Sequence, residues 1–197
     1  AHYQLMVENL IDLSHLAFVH AKTIGTDDTR TVLRFDRGDD FVRVLREPIE
    51  VDTAPHNLKQ GMGPRCRLEK TINFTPPSQV VIDIRTTEVA VQKNDPISLG
   101  ITVLNACTPE TLSSTHYFWA SARDYQREDK QLDAFLYKVT VDAFNEDKDM
   151  LEAQQRCIAL DPGTPYVSVN ADGGSVQMRR LMSELIEREG AGSGAIR

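Results

Sequence analysis

The segment from Asn9 to His20 constrains this fold most, because its side chains suggest a site that needs a partner from elsewhere in the chain. It reads Asn-Leu-Ile-Asp-Leu-Ser-His-Leu-Ala-Phe-Val-His, with two histidines five positions apart. Neutral imidazole is a common protein ligand for iron, zinc, copper and nickel. Two histidines do not complete a metal site, so we expect the fold to bring a third ligand to them.

The spacing of the two histidines does not suit a regular helix. His15 and His20 would lie about 140° apart around the axis, because each residue advances by about 100°. We therefore expect the helix to distort here, or to end just before His20. Asn9, Asp12 and His15 follow one another at steps of three and form a polar stripe on this helix. The alternative is an ordinary amphipathic helix whose polar side holds two histidines by chance.

Short segments of alternating polarity dominate the middle of the chain and predict an antiparallel sheet. We expect three hairpins, over 31–45, 66–85 and 98–122, each with turn residues between its two alternating runs. Residues 88–92 are a candidate extension before a turn at 94–96. Residues 2–7 also read as a strand, which runs directly into the histidine helix, and residues 47–64, with several prolines and glycines, read as a loop. The sequence thus predicts a meander of six or seven strands.

A long amphipathic helix from Asp129 to about Leu160 is predicted after the strands. Its inward stripe, defined by steps of three and four residues, consists of Leu132, Leu136, Val139, Ala143, Met150, Leu151 and Gln154. Asp147 falls inside this stripe, whereas Glu146 and the other charged neighbours are expected on different faces. A carboxylate among core positions is costly to bury unless it is paired or bound to a metal, so Asp147 is the candidate third ligand. The alternative is a slightly misphased stripe that leaves Asp147 in water.

Length and composition are those of one globular domain, with 197 residues of which 41% are hydrophobic and 26% charged. The net charge of −7 argues against nucleic acid as a partner. No apolar run approaches the roughly 18 residues of a membrane span, and no signal-peptide pattern opens the chain, so we expect no membrane partner. The three scattered cysteines favour a reduced, cytoplasmic protein over a disulfide framework. Without a C-x2-C or C-x-H pair, this chain offers no iron–sulfur or structural zinc site.

Two histidines and one carboxylate are the facial ligand set of non-haem iron(II) oxygenases. The three ligands occupy one face of an octahedron, which leaves the opposite face free for dioxygen and water beside a substrate. A catalytic zinc site uses the same ligand types, so ligand identity alone does not decide the metal.

The segment from Glu8 to Thr23 closely resembles the N-x2-D-x2-H-x4-H signature of the Rieske non-haem iron oxygenases, in particular the vanillate O-demethylase oxygenase branch. Three later segments resemble that branch in the same order, over 108–111, 115–123 and 145–155. The resemblance covers essentially the whole chain. It implies an α+β helix-grip fold of the Bet v 1/START type, in which an antiparallel sheet wraps around a long C-terminal helix.

The resemblance also implies roles for five residues. His15 and His20 match the two iron-ligand histidines, and Asp147 matches the carboxylate ligand. Asp12 matches the residue that bridges to a cluster-ligating histidine of the neighbouring subunit and carries electrons to the iron. Because Asp12 shares a helix face with His15, its carboxylate is also a candidate hydrogen-bond acceptor for that ring. Asn9 matches an amide near the iron.

The family places an N-terminal Rieske domain with a [2Fe–2S] cluster before this region, and this chain carries no such cluster motif. We therefore expect residues 1–197 to be the mononuclear-iron catalytic domain, cut from a longer polypeptide that forms a homotrimer. A reductase or ferredoxin would supply electrons. The implied activity uses O2 to demethylate a methoxylated aromatic acid or to hydroxylate an aromatic methyl group. Two alternatives are a non-catalytic carrier of an apolar small molecule and a zinc-dependent hydrolase.

Four further side chains carry expectations. His116 has two interpretations, as a residue that faces the pocket or as a hydrogen-bonded core histidine. Tyr117 and Trp119 alternate with it along a strand and are expected to serve packing on the opposite face. His56, in the loop, is expected to be solvated.

Overall fold

One antiparallel sheet forms the centre of the molecule. The computed structural model describes residues 1–21, 23–25, 31–89, 96–163, 165 and 167–193. Six strands pair in chain order, each with the next: β1 Leu33–Arg37, β2 Val42–Asp52, β3 Arg65–Thr75, β4 Gln79–Glu88, β5 Ser98–Pro109 and β6 Thr115–Arg123. The predicted meander is confirmed. The expected strand extension ends at Glu88, and residues 90–95 lie outside the described part of the chain.

Helices precede and follow the sheet. They are α1 Tyr3–Ile11, α2 Leu16–Val19, α3 Pro55–Leu58, α4 Lys130–Leu160 and α5 Gly173–Ser193, with short 3₁₀ turns at Leu13–His15 and Asn170–Asp172. The sheet together with the long helix α4 confirms the predicted α+β helix-grip class. None of the helices described here is both long and apolar enough to cross a membrane.

The prediction of a strand over residues 2–7 is wrong, because Tyr3–Ile11 is helical. Four residues of α1 are buried, and three of them, Val7, Leu10 and Ile11, follow a helical step and belong to the core formed with the sheet. His2 caps the helix by accepting a hydrogen bond from the backbone N–H of Gln4. Alternation and helical periodicity are hard to tell apart in so short an apolar window.

The predicted start of the loop at residue 47 is wrong, because β2 continues to Asp52. The pairing of β2 with β3 shifts register between Arg46 and Ile49, where Pro48 lacks the N–H that a ladder needs. The chain then forms the short helix α3, with Pro55 in its first turn.

The hydrophobic core lies between one face of the sheet and two helices, α1 and α5. From the sheet it takes Val42, Val44, Ile72, Phe74, Val80 and Ile82, and from α5 it takes Met178 and Leu181. The start of α5 approaches the core closely, since a Cβ on Gly174 would lie 2.6 Å from side-chain carbons of Ile11 and Val44. Helix α5 is not among the predicted elements, although its buried residues Met178 and Leu181 recur at helical spacing.

Helix α4 begins and ends as predicted, and the Asp129 side chain caps it by accepting hydrogen bonds from the N–H groups of residues 131 and 132. Leu132, Ala143 and Leu151 are buried as expected. The expectation for Met150 and Gln154 is wrong, because both are exposed. The inward face turns along the helix, since α4 packs on β6 in its first half and near α1 at its end, where Gln155 accepts a hydrogen bond from the backbone of residue 2.

We expect Phe74→Ala to lower the free energy of unfolding by about 3–5 kcal/mol, because the ring is fully buried in the core and its removal leaves a cavity. Urea unfolding followed by circular dichroism measures the change. Phe118→Ala is the matched control, since that ring is 62% exposed on the other face of the sheet, and we expect a change within about 0.5 kcal/mol. Equal losses in the two variants would contradict this description of the core.

Candidate metal centre

The segment that holds the two histidines is not one helix. Helix α1 ends at Ile11, Asp12 is extended, with φ −94° and ψ 101°, and a 3₁₀ turn leads into α2. His20 lies at the C-terminal cap of α2, with φ −103° and ψ 24°. The helix therefore distorts, and His20 also lies past its end. On a regular helix the two side chains would point about 140° apart. The break between α1 and α2 changes these directions, and both rings turn to the same side.

Asp12 fixes the distortion by capping the 3₁₀ turn. Its carboxylate accepts hydrogen bonds from the backbone N–H and the hydroxyl of Ser14, both at 2.8 Å. The expectation that this carboxylate accepts from His15 is wrong. The backbone carbonyl of Asp12 takes that role, 2.5 Å from Nδ1 of His15. The extended conformation at Asp12 ends the helical stripe on which the expectation rested.

His20 is 1% exposed and is held from two sides by consecutive residues of α4. Its Nδ1 lies 2.8 Å from Oε2 of Glu146, and its Nε2 lies 3.0 Å from Oδ1 of Asp147. Thr23 adds a hydroxyl that donates to the same Glu146 oxygen at 2.7 Å. Glu146 points to a different face of α4 from Asp147, as expected, and its contact with His20 is the feature that the stripe did not predict. Adjacent helix residues diverge by about 100°, which lets both carboxylates reach one ring lying across the helix.

The three residues predicted as metal ligands come together in the structure. Oδ1 of Asp147 lies 3.4 Å from Nε2 of His15 as well as 3.0 Å from Nε2 of His20. The ring centroids of the two histidines are 5.2 Å apart and the ring planes are inclined by 68°. One ligand atom from each of the three residues lies within 4.8 Å of the other two. Among the described residues, this is the one group of three or more such side chains that could hold a metal ion.

The donor atoms suit a cation at their centre. A carbonyl and an ionised carboxylate only accept hydrogen bonds, so Nδ1 of each ring carries a proton and each Nε2 is available as a ligand. Oδ1 of Asp147 is buried, and within the described part of the chain it makes no hydrogen bond of acceptable geometry despite the two short contacts. Two nitrogens and one oxygen thus converge without bonding to one another, as ligands around a metal ion do.

The electrostatics of the group follow from these contacts. Burial by itself would raise the pKa of Asp147, but the two imidazoles outweigh it and hold the pKa well below its usual range. Burial would likewise lower the pKa of His20, yet contacts with Asp147 and Glu146 raise it above its ordinary value. The hydrogen bond from His20, followed by that from Thr23, lowers the pKa of Glu146. The site is therefore a pocket of ionised carboxylates that attracts positive charge.

A cavity of about 290 Å³ opens beside Asp147. Asn9, also predicted as a site residue, lines this cavity on α1. The apolar part of the lining consists of Ala1, Met6, Leu10, Tyr117, Trp119, Val141, Phe144 and Leu151. Asn145, Lys148 and Glu152 supply polar groups from α4. A mostly apolar cavity with a few polar groups, next to a metal-ligand set, is typical of a small-molecule site.

Aromatic rings form one wall of the cavity. Phe144 lies 5.3 Å from Tyr117 and 5.4 Å from Trp119, measured between ring centroids, and the second pair is edge-to-face at 88°. The hydroxyl of Tyr117 donates to the fully buried Asn105 at 2.6 Å. Burial raises the pKa of Tyr117, so the phenol stays protonated. Tyr117 and Trp119 pack against Phe144, as expected, and both also line the cavity.

The other three histidines lie outside this group, and one of them, His2, caps α1. The His116 side chain is 59% exposed and faces Glu110 at 3.7 Å, so neither interpretation of His116 is correct. His56 is half-buried with its ring centroid 6.0 Å from that of Phe135, and burial lowers its pKa, so the expectation of a solvated side chain is also wrong.

Comparison with known proteins finds relatives over almost the whole chain. A putative toluene-4-sulfonate monooxygenase iron-sulfur subunit of Comamonas testosteroni is 30% identical over 204 residues, which cover 98% of this chain and 58% of that protein. A vanillate O-demethylase oxygenase subunit of a Pseudomonas species is 33% identical over 200 residues, covering 96% of this chain and 60% of the relative. The chain thus spans less than two thirds of the length of either relative.

The fold also matches a solved structure. The crystal structure of dicamba monooxygenase bound to 3,6-dichlorosalicylic acid aligns with 97% of this chain and 57% of that chain, with a TM-score of 0.82 at 24% identity. The family of vanillate O-demethylase oxygenase C-terminal domains matches residues 1–188, almost the whole sequence. The six-stranded meander and the long helix agree with this match, and the chain belongs to the vanillate O-demethylase oxygenase C-terminal domain family.

Proposed function

We propose that this chain is the catalytic part of a monooxygenase for aromatic compounds, with one non-haem iron(II) held by His15, His20 and Asp147. The observation that carries the proposal is the approach of both Nε2 atoms to Oδ1 of Asp147, within one half-buried group. When bound in such a site, ferrous iron activates dioxygen at the positions that the protein leaves open. Relatives named as vanillate O-demethylase and toluene-4-sulfonate monooxygenase subunits support this class of reaction.

The residues around the ligands have distinct tasks in this proposal. The carbonyl of Asp12 and the carboxylate of Glu146 hold the Nδ1 protons, which keeps both Nε2 atoms directed at the iron. Asn9 and Asn145 present amide groups to the cavity in which the substrate lies beside the iron. The aromatic wall of Tyr117 and Phe144 orients a flat ring by edge and face contacts.

The cavity supports a class of substrate, and the names of the relatives support a type of reaction. Its apolar lining suits the ring of an aromatic acid, and the ammonium group of Lys148 lies at the lining where it can meet the carboxylate of such an acid. O-demethylation of a methoxy group and hydroxylation of a methyl group both require the reacting carbon to lie next to the iron. The names of the relatives include dicamba and vanillate O-demethylase subunits, and they favour O-demethylation.

Electrons have to reach the iron from outside this group of residues. We propose that they come from a [2Fe–2S] cluster outside residues 1–197, in a longer homotrimeric oxygenase served by a reductase or ferredoxin. Asp12 suits the entry point because its backbone carbonyl contacts His15, which links this residue to an iron ligand through one hydrogen bond. We also propose a cytoplasmic location, which the free cysteines at 66, 107 and 157 support.

We expect Asp147→Ala to lose stoichiometric iron binding, because two imidazoles alone do not complete the site. Iron content after anaerobic reconstitution with ferrous iron and gel filtration measures the loss. Asp149→Ala is the matched control, two residues further along α4 and exposed, and it should bind one iron per chain.

Two results would contradict the proposal. Retention of one tightly bound iron by Asp147→Ala would exclude this ligand set. Absence of iron from the unmodified protein would favour a carrier of apolar molecules. A zinc-dependent hydrolase would instead act on an ester or amide without oxygen or reductant.

We expect a methoxybenzoic acid to quench the fluorescence of Trp119 in a saturable manner, because the one tryptophan of the sequence lines the cavity. Phe144→Ala should weaken binding by about two- to tenfold through the loss of its aromatic contacts. Phe135→Ala is the control, since that ring lies on the same helix, is 47% exposed and contacts His56 instead. Equal effects of the two substitutions would place the aromatic ligand elsewhere.

A further inference from the structure

Glu146 is the carboxylate next to the predicted ligand Asp147, and neither the residue pattern nor the family signature assigns it a role. Its Oε2 accepts a hydrogen bond from Nδ1 of His20 at 2.8 Å and another from the hydroxyl of Thr23 at 2.7 Å. The side chain of His20 is 1% exposed, whereas that of Glu146 is 30% exposed at the edge of the group. A carboxylate at this edge of an imidazole either binds the metal itself or holds the ring.

The positions of the atoms favour holding the ring. Asp147 approaches His20 from the Nε2 side, where the third ligand His15 also lies, while Glu146 approaches from the Nδ1 side. The two nitrogens of an imidazole point in divergent directions, so a metal at Nε2 is out of reach of an oxygen bonded to Nδ1–H. A ligating histidine commonly donates its other N–H to a carboxylate in this way.

The turn after His20 supports the same arrangement. The backbone N–H groups of Thr23 and Gly25 both donate to the carbonyl of His20, at 3.0 and 2.8 Å. A Cβ on Gly25 would lie 2.7 Å from that carbonyl oxygen and 2.9 Å from the carbonyl oxygen of Leu16, so the close turn requires glycine. The turn therefore brings the Thr23 hydroxyl back over His20, where it fixes the carboxylate of Glu146.

We infer that Glu146, oriented by Thr23, is a positioning residue that fixes the Nδ1–H tautomer and ring orientation of His20 for metal binding. The inference rests on the proposed function, since it assumes that His20 is an iron ligand. It follows that the two histidines are held by different kinds of acceptor. His15 is held by a neutral backbone carbonyl, which no substitution at that position removes, and His20 is held by a charged side chain. A substitution can therefore remove the hydrogen-bond acceptor of His20, but it cannot remove that of His15.

The first test measures ferrous iron affinity by anaerobic competition with a chelator. Glu146→Ala should weaken binding by about 10- to 100-fold. Glu146→Gln keeps an oxygen that accepts from Nδ1–H, and should recover part of that loss. Thr23→Val should weaken binding in the same direction, and Thr23→Ser should restore it. Asp142→Ala is the matched control, because that carboxylate pairs with Lys138 on the exposed side of the same helix.

The second test observes His20 without metal, by nuclear magnetic resonance of protein labelled with ¹⁵N at its histidines. The unmodified protein should show a slowly exchanging proton on Nδ1 of His20, and Glu146→Ala should lose this signal while the Nδ1 signal of His15 remains. Thermal unfolding of the metal-free variants establishes that they are folded.

The outcomes separate this inference from the proposed function. Wild-type iron affinity in Glu146→Ala, with the Nδ1 proton of His20 retained, would overturn the positioning role and leave the proposed function intact. Complete loss of iron in Glu146→Gln, as in Asp147→Ala, would also overturn it, because Glu146 would then be a ligand. If the Nδ1 signal behaves as expected but the unmodified protein binds no iron, the proposed function fails.

Discussion

A carboxylate in the middle of a long helix, turned away from water, is the constraint around which this structure is arranged. Removing the charge of Asp147 from water is costly unless other groups compensate it. The compensation comes from the imidazoles of His15 and His20. His20 precedes Asp147 by 127 positions in the sequence. The N-terminal segment must therefore lie across α4, and it does so by ending one helix at Ile11 and starting another at Leu16.

The sheet and the helices provide what this contact requires. Strand β6 carries Tyr117 and Trp119 to the side of α4 that faces the cavity, where they meet Phe144. Helices α1 and α5 pack apolar side chains against the sheet and form the core with it. The polar group thus lies at the boundary between a dry core and an open cavity, where a small molecule can approach it without unfolding the core.

Much of this arrangement could be predicted from the sequence, because it depends on periodicity and ligand chemistry. The six strands alternate, the ends of α4 are marked by Asp129 and Leu160, and Asp147 falls in its inward stripe. The predictions failed where the tertiary context decides. Residues 2–7 fit a strand and a helix equally well until the core selects a helix. Glu146 is off the stripe, and only a ring lying across the helix makes it a neighbour of His20.

The separation of His20 from Glu146 by 126 positions also has a consequence for how the protein matures. When the sixth strand has been synthesised, both imidazoles are present but Glu146 and Asp147 are not, because α4 follows the whole sheet. The group of His15, His20 and Asp147 can therefore assemble only late in synthesis. A chain truncated before α4 would have the two imidazoles without the carboxylates that contact them.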